Sequence, residues 1–126
     1  MRSVALALLL LTACFLLMTA CSRNEGPPGP PPTLTGDLQQ QCKATEPRAL
    51  PCMDELFDAY ASATLGSAIT SDKHSDEAEA RAIHLTNCFG DRDFVYVKNI
   101  VACWNERTCA AFANCVGTRT QSLIAP

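Results

Sequence analysis

The sequence predicts a small all-α fold, an up-and-down bundle of about four short helices held together by about three disulfide bonds. Two observations favour it. Apolar residues recur every three or four positions in four stretches between residues 52 and 117, which is the spacing of amphipathic helices. The same region carries an even number of cysteines, which is typical of disulfide-bonded domains in small exported proteins.

The first 20 residues have the pattern of a signal peptide. Arg2 is followed by an apolar run from Val4 to about Leu17, and small residues follow. A run of roughly 14 to 17 apolar residues is shorter than the ~20 that a membrane-spanning helix needs. We therefore expect residues 1–20 to be removed from the mature protein.

The residues around Cys21 indicate a lipid anchor. The tetrapeptide Met18-Thr19-Ala20-Cys21 resembles the lipobox of bacterial lipoproteins, with Met18 in the position that usually holds Leu. The resemblance implies that diacylglycerol alkylates the Cys21 thiol, that the chain is cut before it, and that the new amino terminus is acylated. Ser22 resembles the residue that follows the lipidated cysteine in lipoproteins exported to the outer membrane of Gram-negative cells.

Two other interpretations of this region stay open. Leu11 to Cys14 matches the lipobox better than Met18 to Cys21 does, although the apolar core before Cys14 is very short. Alternatively, Cys21 is a disulfide partner. Lipidation of Cys21 is favoured because residues 21–41 are polar and rich in proline and glycine, as expected of a semi-rigid tether. After this lipid-anchored tether we expect a helical domain over residues 42–117 and a flexible tail over 118–126.

The four helices are predicted from apolar spacing and from residues that start or stop helices. The first covers about 52–65 and ends at Gly66. The second covers about 75–88, with Asp76 and Glu79 as a capping-box pair and an apolar stripe of Ala78, Ala82, Leu85 and Ile83. The third begins at Asp91, with one face made of Phe94, Val97, Ile100, Val101 and Trp104. Asn105 precedes the fourth, which ends at Gly117.

Six cysteines of the helical domain are predicted to form its disulfide bonds: Cys42, Cys52, Cys88, Cys103, Cys109 and Cys115. Cys88 and Cys103 lie at opposite ends of one predicted helix, too far apart to bond. The up-and-down arrangement leaves three connectivities, of which we favour Cys103–Cys109, Cys52–Cys88 and Cys42–Cys115.

The segment from Cys42 to Cys52 has the C-x9-C spacing of twin-cysteine helical hairpins, but Pro47 and Pro51 interrupt the continuous helix that this family needs. The closing stretch ACWNERTCAAFANCV loosely resembles cysteine-rich helical segments of small lipoproteins in Gram-negative bacteria. That resemblance implies no activity.

Composition and motifs argue against several classes of function. The net charge is −3 and the basic residues are scattered, whereas nucleic-acid binding favours a basic face. A C-x-x-C pair, a nucleophile elbow and a phosphate loop are all absent from the sequence. His84 with Cys88 is the nearest approach to a metal site, but we expect His84 at the edge of the core and His74 in a solvated loop. We therefore predict no catalytic residue, metal or cofactor.

The sequence is best interpreted as a cell-envelope lipoprotein with a structural or protein-interaction role. Its expected partners are the lipid bilayer, through Cys21, and another envelope protein. The alternatives are a thiol-redox or metal-handling protein and, less favoured, a small secreted enzyme. The single tryptophan, Trp104, is predicted to anchor the core, with a binding hot spot as the other interpretation.

Overall fold

A computed structural model describes residues 26–66, 75–90 and 94–124. Every regular element in these ranges is helical, and three disulfide bonds connect the helices, so the predicted all-α class and disulfide framework are confirmed. The elements are α1 (Leu38–Ala49), a 3₁₀ turn (Leu50–Cys52), α2 (Met53–Leu65), α3 (Glu77–Phe89), α4 (Val95–Ala102) and α5 (Cys109–Ile124). The signal peptide, Cys14, Cys21 and His74 lie outside the described residues.

Helix α1 was not predicted, and it places the start of the helical domain before Cys42. Asp37 accepts a hydrogen bond from the Gln40 backbone N–H at 2.9 Å, and the Gln40 side chain accepts one from the Asp37 backbone N–H at 3.0 Å. This capping box starts the helix at Leu38. Pro47 lies inside α1, where its ring removes only the bond to the Lys43 carbonyl.

The buried face of α3 differs from the predicted stripe. Ala78 and Ala82 are exposed, Ile83 and Leu85 are partly buried, and the residues facing the core are Ala80, His84 and Cys88. The prediction was wrong because it treated histidine as an edge residue. A polar side chain at the centre of the stripe is accommodated when its hydrogen bonds are made inside the core.

The ends of the other helices follow the predictions in part. Gly66 ends α2 in the left-handed conformation, with φ of 69°, and Asp76 caps α3 by accepting a bond from the Glu79 backbone N–H. Helix α4 begins at Val95, after Phe94, and the predicted start at Asp91 lies outside the described residues. Its predicted face is largely confirmed, because Val97, Ile100 and Trp104 are buried while Phe94 and Val101 are partly buried.

Helix α5 does not end at Gly117 but continues to Ile124, so most of the predicted tail is helical. Gly117 is a packing residue rather than a helix stop. A Cβ at this position would lie 3.1 Å from the Ala59 backbone oxygen, so glycine allows α2 and α5 to approach closely.

Helices α2 and α5 run in the same direction. Cys52, just before α2, is bonded to Cys109 at the start of α5, and Ala59 lies against Gly117 further along both helices. Helices α4 and α5 are antiparallel, because Cys103 is bonded to Cys115 and Asn99 contacts Thr120. Likewise α1 and α3 are antiparallel.

The favoured disulfide pairing was wrong, since the bonds are Cys42–Cys88, Cys52–Cys109 and Cys103–Cys115. The prediction assumed that the helix after Cys109 returns antiparallel to the one after Cys52. Because the two helices are parallel, their starting cysteines meet instead. Cys103 then lies beside Cys115, with the two Cα atoms 5.8 Å apart.

The helix directions give the domain two poles. One, which we name the Trp104 pole, holds the carboxyl ends of α1 and α4 and the amino ends of α2, α3 and α5. The opposite pole holds the carboxyl ends of α2, α3 and α5. Four large apolar side chains are exposed there: Leu65, Phe89, Leu123 and Ile124.

Candidate functional site

His84 lies at the centre of a buried polar cluster between α1, α3 and α4. Its side chain is 0% exposed. Nε2 lies 2.8 Å from the Cys42 carbonyl oxygen and 3.3 Å from Thr45 Oγ1, while Nδ1 lies 3.1 Å from the Tyr96 hydroxyl. A carbonyl oxygen can only accept, so Nε2 carries the proton and Nδ1 accepts from Tyr96. Both ring nitrogens are therefore committed to hydrogen bonds within the protein.

Burial governs the titration of this cluster. It lowers the pKa of His84 below its usual 6.5, and the hydrogen bond to the Cys42 carbonyl and the charge of Glu46 only partly oppose this shift. Burial likewise raises the pKa of Tyr96, against a smaller opposing effect of the Asn87 side chain. The imidazole and the phenol are therefore both neutral at physiological pH. A neutral imidazole sealed from solvent is suited to holding three helices together rather than to moving protons for a substrate.

The metal interpretation of His84 with Cys88 gains no support from the structure. Cys88 Sγ is 3.8 Å from His84 Nε2, but that sulfur is bonded to Cys42 and is not a free thiolate. Among the described residues, no group of three or more potential metal ligands is gathered at one place.

Arg48 is a second buried polar centre, with a residue exposure of 1%. Its Nε donates to the Trp104 carbonyl at 3.1 Å, its Nη2 donates to the Glu106 carbonyl at 2.6 Å, and its guanidinium carbon lies 4.3 Å from the centre of the Phe112 ring. One side chain of α1 thus holds the turn between α4 and α5 in place. Because that turn sets the positions of Cys103 and Cys109, Arg48 supports two of the three disulfides.

Sequence reasoning missed Arg48 because it counted this residue among the scattered surface cations. The sequence nevertheless contains a pattern that indicates a buried position for Arg48. Cys42, Thr45, Ala49 and Cys52 recur at three- and four-residue steps, which is the spacing of a buried helix face, and Arg48 lies beside that stripe. The two prolines of the segment concealed the pattern.

Trp104 is a core residue, as predicted, and it also binds the segment that was expected to be a semi-rigid tether. Its side chain is 3% exposed, and its indole N–H donates to the Gly29 carbonyl at 2.8 Å. Leu34 and Leu38 pack against the core as well. Part of the proline-rich segment is therefore docked on the domain.

A cleft of about 630 Å³ lies between α1 and the first half of α3. Apolar groups of Pro47, Leu50, Pro51 and Ala80 line it, and Arg81 crosses one side, 3.6 Å from a Glu46 carboxylate oxygen and 3.1 Å from one of Glu77. The volume is within the range of ligand sites, at about 300 to 1,000 Å³. Lys43 also lines the cleft, so its two cations and two carboxylates balance in charge.

Comparison with protein-family models, with curated proteins and with solved structures finds no match to this chain. Within residues 26–66, 75–90 and 94–124, no helix is both long enough and apolar enough to span a bilayer.

Proposed function

We propose that the protein is a bacterial cell-envelope lipoprotein, anchored through acylated Cys21, whose helical domain has a structural or protein-interaction role. The observation that carries this proposal is the set of three disulfides that connect the helices. Disulfides of this kind persist in oxidising compartments outside the cytosol. The signal-peptide pattern supports export to such a compartment, and the lipobox resemblance supports anchoring to its membrane.

A non-catalytic role is supported by the state of the reactive side chains. Both nitrogens of His84 are bonded inside the core, and the cysteines of the described helices are joined in pairs. The outer surface, including the cleft between α1 and α3, is the part of the domain left to make contacts. The outer membrane of a Gram-negative cell is the proposed location, on the resemblance of Ser22 to exported lipoproteins.

Mass spectrometry of protein from the membrane fraction tests the anchor. We expect the mature chain to begin at Cys21, to carry three acyl chains, and to lose them and its membrane association in Cys21→Ser. Cys14→Ser is the matched control, because Cys14 ends the competing lipobox match and its replacement leaves acylation of Cys21 intact. An unmodified Cys21 in protein recovered from the cytosol would overturn the proposal.

Counting thiols distinguishes the proposed role from thiol-redox or metal-handling activity. Alkylation of the native mature protein without reductant is expected to label none of the six domain cysteines. Two rapidly labelled cysteines would favour the redox alternative instead. Crosslinking in intact cells, with Cys21→Ser as the unanchored control, then identifies an envelope protein that binds only the anchored form.

A further inference from the structure

An extended strap, residues 26–36, leads into α1. Gly29 and Gly36 have φ angles of 133° and 83°, which residues other than glycine rarely adopt. At Gly36 a Cβ would also overlap the Gln40 side chain that completes the cap of α1. The two glycines therefore allow the strap a path that larger residues would strain or block.

Contacts near both ends hold the strap against the domain. The Gly29 carbonyl accepts the 2.8 Å bond from Trp104, Leu34 packs against the core, and Gln41 Nε2 donates to the Gly36 carbonyl at 3.1 Å. Trp104 follows the carboxyl end of α4, while Gly36 adjoins the amino end of α1 at the opposite pole. The strap therefore runs along the domain from one pole to the other, and the chain before it leaves at the Trp104 pole.

We infer that the docked strap orients the anchored domain, holding its Trp104 pole toward the bilayer. The inference rests on the proposed lipid anchor at Cys21. Eight residue steps separate Cys21 from Gly29, which an extended chain spans in about 28 Å at most. Without docking, the first fixed residue is Asp37, sixteen steps away, and the reach doubles to about 56 Å.

This orientation determines what the exposed apolar side chains of the opposite pole can contact. Leu65, Leu123 and Ile124 lie at the carboxyl ends of α2 and α5, and the Leu123 side chain is 63% exposed. A tether that leaves from the other pole places that pole nearer to the lipid attachment point than these three side chains. We therefore expect the bilayer to face the Trp104 pole, and Leu65, Leu123 and Ile124 to face away from it.

Energy transfer from tryptophan to a dansyl-labelled headgroup lipid tests the orientation. The probe is the full acylated protein in phosphatidylethanolamine and phosphatidylglycerol vesicles, because Trp104 is the only tryptophan in the chain. We expect efficient transfer from Trp104. The variant Leu123→Trp adds a second tryptophan at the opposite pole. We expect energy transfer to the acceptor to quench the emission of this tryptophan less than that of Trp104.

Two glycines provide a matched test of the strap. A Cβ meets nothing within 4 Å at either position, but Gly29→Ala places a side chain at a φ of 133°, whereas Gly26 has no positive φ. Gly29→Ala is expected to release the strap and reduce energy transfer from Trp104, and Gly26→Ala is expected to behave as the wild type. Leu34→Ser, which removes the apolar contact of the strap, should act like Gly29→Ala.

The outcomes separate failure of the orientation from failure of the anchor. Acylated protein in which Leu123→Trp emission is quenched more than Trp104 emission would overturn the orientation and leave the anchor standing. Equal transfer in the wild type, Gly29→Ala and Leu34→Ser would overturn the role of the strap. If mass spectrometry finds no acylation at Cys21, the proposed function fails. Strap docking can still be measured then, because the Trp104 indole hydrogen exchanges slowly while it is bonded to the Gly29 carbonyl.

Discussion

Two buried polar residues carry much of the specificity of this small core. His84 joins α3 to the Cys42 carbonyl of α1 and the Tyr96 hydroxyl of α4. Arg48 joins α1 to the turn after α4. Burying polar groups is costly unless they are hydrogen-bonded, so these contacts strongly disfavour arrangements that leave the same groups without partners.

Replacing Arg48 should destabilise the domain strongly. Arg48→Met keeps the length of the side chain but leaves the Trp104 and Glu106 carbonyls without their donors. We expect a loss of about 2–4 kcal/mol in the free energy of unfolding. Arg119→Met, on the exposed face of α5, is the control and should stay within about 0.5 kcal/mol. Urea unfolding followed by circular dichroism measures both, and equal effects would contradict the role of Arg48.

Stability should fall as the pH drops below 6.5. His84 is neutral in the folded protein because burial lowers its pKa, so the unfolded chain takes up its proton first. The stabilising effect is complete above the unfolded pKa of about 6.5 and is lost progressively as the pH falls toward the lower folded value, with a slope of at most about 1.4 kcal/mol per pH unit.

His84→Gln provides the test of this pH dependence, because glutamine cannot be protonated. Denaturant unfolding between pH 7 and pH 4 measures how the free energy of unfolding depends on pH. We expect this dependence to be less steep in the variant, by the contribution of one proton. His74→Gln is the comparison, since it removes the only other histidine. A slope that is unchanged in His84→Gln would contradict the assignment.

At the scale of the elements, the close packing of α2 against α5 depends on Gly117. Gly117→Ala adds a methyl group 3.1 Å from the Ala59 carbonyl oxygen. Alanine favours helices over glycine by about 1 kcal/mol, but overpacking typically costs about 1–3 kcal/mol, so we expect net destabilisation. Thr118→Ala, at the adjacent exposed position, should leave the melting temperature unchanged or slightly higher. A stabilised Gly117→Ala variant would show that the two helices separate easily.

Helix boundaries that depend on neighbouring residues were predicted well, and those that depend on tertiary packing were not. Gly66 and Asp76 bound α2 and α3 through conformations and hydrogen bonds that depend on neighbouring residues alone. Gly117 has the same local signature as a helix stop, yet it continues the helix because its neighbour is Ala59 of α2. Pro47 predicted a break, but α1 tolerates it because an amino-terminal cap and buried contacts on one face stabilise the rest of the helix.

At the scale of the whole molecule, the all-α class and the disulfide framework followed from composition and periodicity, but the connectivity did not. Helix direction after each turn depends on which side chains meet, and the six cysteines of the domain allow fifteen pairings. The buried candidates Arg48 and His84 were missed or misplaced for the same reason, since their partners are backbone carbonyls distant in the sequence.

The three disulfides should differ in what they contribute to stability. Cys52–Cys109 links residues 57 apart in sequence and Cys103–Cys115 only 12. Loop-closure entropy gives about 4 kcal/mol for the longer loop and about 3 kcal/mol for the shorter. Paired serine replacements, compared by urea unfolding, should therefore show the greater loss for Cys52→Ser/Cys109→Ser. The reverse order would mean that local packing around Cys103 and Cys115 dominates.

The connectivity also has a consequence for biogenesis, because none of the three bonds among the described cysteines joins neighbours in the series from Cys42 to Cys115. In the proposed export of this chain the amino-terminal half crosses first, so Cys42 meets Cys52 before its native partner Cys88 has emerged. An oxidant acting at that moment traps a wrong bond, which only thiol–disulfide exchange can undo. On the proposed export route we therefore expect native pairing to depend on an isomerase in addition to an oxidase, or on oxidation that is delayed until the last cysteines have crossed.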